Sequence, residues 1–93
     1  MRIVGDIPHP YLKISIFKMD NKLSVKFETG LLEQIYKFRN DFPTENVEDL
    51  KRLVTPAFIE SVEKTFETMQ IQRLHALEAA AKTDEQDDLP III

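Results

Sequence analysis

Side chains that ionise, ligate metals or attack electrophiles are present in this 93-residue chain, but not at the spacings that chemistry requires. There is no cysteine, which removes disulfides, thiolate nucleophiles and thiolate metal sites together. A Gly-rich phosphate loop, a Gly-x-Ser-x-Gly elbow, a His-Glu-x-x-His pair and an Asp-rich calcium loop are all missing. Glu60, Glu63 and Glu67 recur three or four apart, the spacing of one helix side, but no histidine stands beside them at ligand distance. They read as a solvated helix face. Of the two histidines, His9 is held between Pro8 and Pro10 and His75 lies far along the chain, so no metal-ligating set forms. The sequence thus points away from an enzyme and implies no cofactor and no metal.

Two surfaces are better candidates for function, and both depend on the elements that carry them. From Tyr11 to Arg39 hydrophobicity alternates with period two, broken at Asp20-Asn21 and Thr29-Gly30. The pattern predicts strands over about 11–19, 22–28 and 31–39, with Arg2-Ile3-Val4 as a short edge strand over about 2–4. A two-residue turn at Asp20-Asn21 sets Ile14 against Phe27, Ile16 against Val25 and Lys18 against Leu23. It also sets Lys13 against Glu28 and Phe17 against Ser24 on the other face. Treating Thr29-Gly30 in the same way predicts Phe27 with Leu32, Val25 with Gln34, Leu23 with Tyr36 and Lys26 with Glu33. Gln34 then falls mid-strand on the apolar side, where an amide needs a backbone or water partner.

Beyond Asn40-Asp41-Phe42-Pro43 the period becomes helical. Thr44 is a candidate N-cap for a short helix over about 45–54 with Val47, Leu50, Leu53 and Val54 as its buried stripe. Thr55-Pro56 restarts the chain as a second helix over about 56–82, because Thr caps well and Pro is tolerated at the first helical position. Phe58, Ile59, Val62, Phe66, Met69, Leu74, Leu77 and Ala80 share one broad sector of it. The expected fold class is α+β: an antiparallel β-meander of three to four strands, then a short helix and a long amphipathic helix packed on one sheet face. Residues 1–82 form the single domain. Residues 83–93 are an acidic, flexible tail ending in Leu89-Pro90-Ile91-Ile92-Ile93, which is either a disordered end or a peptide that docks.

The first candidate surface is the outer sheet face. It is expected to show Tyr11, Lys13, Phe17, Lys22, Lys26, Ile35 and Lys37, basic residues interleaved with aromatics as on sheets where bases stack. The second is a mismatch of lengths. Strands of about eight residues span roughly 26 Å, but a helix over 56–82 spans roughly 40 Å. The helix overhangs the sheet and presents Ile71, Leu74 and Leu77, groups whose cover is a second copy or a protein partner. Charge is divided along the chain: residues 1–39 carry seven Lys or Arg against four Asp or Glu, and residues 40–93 carry five against twelve. That asymmetry directs oppositely charged surfaces together.

The segment Gly5-Asp6-Ile7-Pro8-His9-Pro10, continuing through Lys13-Ile14, Asn21-Lys22, Gly30 and Leu32-Glu33-Gln34 to Tyr36-Lys37, resembles a small uncharacterised bacterial protein family of similar length. The likeness covers about the first 40 residues. It implies an independently folding bacterial unit and carries over no function and no site. The start of the chain lacks the apolar run of a signal peptide, and no stretch approaches the roughly 20 apolar residues that span a bilayer, so a cytoplasmic location is expected. The sequence therefore predicts a non-enzymatic interaction module working through its overhanging helix, with nucleic-acid binding by the outer sheet face as the alternative.

Overall fold

Alternating side chains and two tight turns fold the first forty residues into a four-stranded antiparallel meander. In the computed structural model, which describes residues 1–85, β1 (Arg2–Ile7), β2 (Lys13–Met19), β3 (Lys22–Thr29) and β4 (Leu32–Arg39) lie in the order β1-β2-β3-β4. Two helices follow, α1 (Val47–Leu53) and α2 (Pro56–Glu85), giving the expected α+β fold. The pairing of β2 with β3 is the one the alternation predicts, with Ile14 opposite Phe27, Ile16 opposite Val25 and Lys13 opposite Glu28. The turn between them places Asp20 at φ 54°, a left-handed conformation that Asp tolerates better than most residues.

The β3–β4 pairing corrects the expected one by two residues. Phe27 faces Gln34, Lys26 faces Ile35 and Leu23 faces Phe38, so Gly30-Leu31 forms the loop and β4 starts at Leu32, not at 31. Gly30 takes φ +56° at the first loop position, where hairpin turns that follow the right-handed twist of strands need a positive φ. A shift of two leaves each residue on its expected face. Lys26 consequently reaches Glu33 diagonally, at 4.0 Å, and not as a direct partner.

β1 is longer than the expected 2–4. It continues to Ile7 through a bulge between Ile3 and Gly5, after which Asp6 and Ile7 pair with Ser15 and Ile14. Pro8 ends it, having no N–H to give the ladder. β2 begins at Lys13 and not at 11, because the amides of Tyr11 and Leu12 both donate to His9 Nδ1, each at 3.1 Å.

Ile14, Ile16, Leu23, Val25 and Phe27 from the central strands are almost fully buried beneath Leu50 of α1 and Val62 and Phe66 of α2. Each such side chain contributes about 1.5–3 kcal/mol on burial. Phe27, Tyr36 and Phe58 meet edge to face with centroids 5.3 to 5.9 Å apart, joining β3, β4 and α2. α1 begins later than the expected 45 and is capped not by Thr44 but by Asn46, whose side chain accepts from the Asp49 amide while Asp49 accepts from the Asn46 amide. Thr44 instead donates its hydroxyl to Arg39 O and Asp41 O, closing the loop after β4. Gly5 lets α1 settle, since a Cβ there would stand 3.0 Å from Val47 Cγ1. α2 is capped as predicted, with the Phe58 amide donating to Thr55 Oγ1 at 3.1 Å and Pro56 in first place.

Candidate interaction surfaces

α2 is a thirty-residue helix. At 1.5 Å per residue that is about 45 Å, longer than any strand beneath it. Phe58, Ile59, Val62, Phe66 and Met69 lie on the core, and Arg73 is the last partly shielded side chain among those described. From Leu74 to Lys82 every side chain is exposed. Ile71, Leu74 and Leu77 keep 54%, 46% and 52% of their surface in water. The helix also extends to Glu85, beyond the expected end at 82. With 100° between residues, Leu77 continues the side on which Ile59 meets the core, Ala81 and Leu74 lie beside it, and Ile71 lies further round, so that past the end of the sheet these side chains face solvent. The molecule is accordingly elongated, 56 × 28 × 18 Å.

The outer sheet face carries no helix. Strand parity puts Lys13, Phe17, Lys22, Lys26, Ile35 and Lys37 there, as predicted, and five of these line a depression of about 370 Å³ together with Met1 and Met19. Lys13 is the one left out. It lies at the far end of β2 and lines, with Tyr11 and His9, a second hollow of about 420 Å³ around the β1–β2 connection. Tyr11, expected on the outer face, lies ahead of β2 in the β1–β2 connection, is exposed and meets the His9 ring edge to face at 5.7 Å, and it does not line the outer depression.

Electrostatics divide the outer face in two. Lys26 lies 3.4 Å from Glu28 and 4.0 Å from Glu33, with its ammonium 5.0 Å above the Phe17 ring. At the other end Lys22 stands directly opposite Arg39, with Lys37 next along β4. Among the described residues none of these three cations has an ion-pair partner. Like charges directly opposite one another cost stability unless an anion joins them. Sequence reasoning overlooked Arg39, Met1 and Met19, although period-two counting through each strand places Met19 and Arg39 on this face.

Gln34 is buried and satisfied: its Nε2 donates to Val62 O at 2.9 Å and its Oε1 accepts from the Tyr36 hydroxyl. It ties β4 to α2. Among the described residues no three His, Asp or Glu side chains converge as a metal site would need, and no helix is long and apolar enough to cross a membrane. The Leu89–Ile93 segment lies outside the described residues.

No protein-family model, no curated protein and no solved structure matches this chain.

Proposed function

We propose that this chain is a non-enzymatic protein-interaction module that self-associates through the projecting end of α2. The observation that carries this reading is the half-exposed set Ile71, Leu74 and Leu77 on a helix that outruns its own sheet. An antiparallel pairing with Leu74 of one copy level with Leu77 of the other makes a four-leucine layer. Ile71 stands at the flank of that layer. Glu67 then comes within about two residues of the partner's Lys82, roughly 3 Å along the axis. Both lie on the same flank of the Leu74–Leu77 stripe, so opposite charges meet at each end of the seam, along one side of it.

Covering three half-exposed side chains in each copy recovers on the order of 1 kcal/mol apiece. The total for a pair is comparable to the low end of the ~4–15 kcal/mol cost of association. The helix seam alone therefore supports weak, concentration-dependent pairing that a second contact would tighten.

The native chain has no cysteine, which permits a direct test of the register. Leu74→Cys and Leu77→Cys variants, mixed and oxidised, should give mostly the mixed disulfide between Cys-substituted positions 74 and 77. Equal amounts of the mixed and the two like disulfides would contradict the antiparallel register.

Nucleic-acid binding by the outer sheet face draws support from Lys22, Lys37 and Arg39. It is weakened by the absence of a free ring on which to stack a base, since Lys26 already stands over Phe17.

A further inference from the structure

We infer that the depression on the outer sheet face is a docking site for the acidic-apolar segment 86–93 of a second copy of this chain. The inference rests on the antiparallel pairing of α2 proposed above.

Its first support is complementarity. Lys22 and Lys37 line the depression next to the apolar Phe17, Met19 and Ile35, and Arg39 stands opposite Lys22. These three cations have no carboxylate partner among the described residues, and Glu33, the carboxylate that also lines the depression, faces Lys26 at 4.0 Å. A ligand for such a surface carries two or more carboxylates immediately followed by aliphatic side chains. In this chain that order occurs at Asp87-Asp88-Leu89-Pro90-Ile91-Ile92-Ile93. Carboxylates meeting Lys22 and Arg39 relieve the like-charge pairing of β3 with β4, and the aliphatic groups cover Ile35 and Met19, both about half exposed.

The second support is reach, and it decides between a copy's own segment and its partner's. From Arg73, the last partly shielded side chain of α2 among those described, to Glu85 the helix runs about 18 Å. Residues 86–93 span at most about 28 Å when extended. Returning along the helix and then rounding the sheet leaves too little of the segment to lie across the depression. In the antiparallel pair, Glu85 of the partner comes level with Phe66, where α2 covers the sheet. Since α2 lies against the edge strand β4, the outer face is then one strand edge away.

The test uses the full chain, mixing isotope-labelled and unlabelled copies and recording filtered NOEs between them. The expected result is inter-copy contacts from the Leu89 and Ile91–Ile93 methyl groups to the Phe17 ring and the Ile35 methyl groups. In the double variant Lys22→Glu with Lys37→Glu these contacts should vanish while inter-copy contacts between Leu74 and Leu77 persist. If Leu74–Leu77 contacts appear without any to Phe17 and Ile35, this inference falls and self-association stands. If neither set appears, both fall. Contacts seen in a uniformly labelled sample but absent from the mixed one would place the segment on its own sheet and overturn the exchange. Shifts at Phe17, Ile35 and Lys37 caused only by added single-stranded DNA would overturn it in favour of a nucleic-acid surface.

Discussion

Gln34 sits on the core face of β4 with its donor on the Val62 carbonyl and its acceptor on the Tyr36 hydroxyl. Replacing it removes a strand-to-helix tie and leaves the Tyr36 hydroxyl without that acceptor, a cost of about 1–3 kcal/mol for a buried polar group. Gln34→Ala should lower the urea midpoint accordingly, and combining it with Tyr36→Phe should cost less than the sum of the two single changes. A strictly additive double variant would show that the two side chains act independently. At this scale the sequence was half legible. Parity placed Gln34 on the apolar side and implied a partner, but Val62 lies 28 residues away, and only packing brings its carbonyl there. Lys26 was expected directly opposite Glu33; it reaches Glu33 only diagonally, and Glu28 and the Phe17 ring engage the same ammonium.

Among the elements, the β2–β3 hairpin could be read from sequence because a slip of one residue would turn its apolar set to solvent. The β3–β4 hairpin was misread by two residues because a slip of two keeps every side chain on its face. Only turn chemistry separates the alternatives, and Gly30 at the first loop position decides it. A Cβ at Gly30 would meet nothing within 4 Å, so the penalty of Gly30→Ala is conformational alone. It should destabilise the fold by about 1 kcal/mol, with a matching fall in the denaturation midpoint. A neutral effect would mean that the turn does not depend on its left-handed residue. Asn46 and Thr44 are both good caps, and the reciprocal bond from Asp49 selects Asn46. That signal was present in the Asn46-Val47-Glu48-Asp49 spacing. The extension of β1 was not: Gly5 and Asp6 have poor strand propensity, and it is pairing with Ile16 and Ser15 that makes them a strand.

At the scale of the whole molecule, the sheet and the two helices bury one face of the meander and leave two surfaces uncovered at different places. The overhang of α2 followed from comparing a predicted helix length with a predicted strand length, and the exposure of Leu74 and Leu77 agrees with it. The split of the outer face into a satisfied half around Lys26 and an unsatisfied half around Lys22 and Arg39 did not follow, because it depends on the β3–β4 register. In the proposed dimer the two surfaces act together, contacts at the outer face reinforcing a weak helix seam. Sedimentation equilibrium over a concentration series from micromolar to about 1 mM, the range in which an interaction of this size is populated, tests that account most directly. The weight-average mass of the native chain should rise from one copy towards two, and the double variant Leu74→Asp with Leu77→Asp should remain a monomer throughout. A native chain that stays monomeric over the whole series, or a double variant that associates as the native chain does, would contradict it.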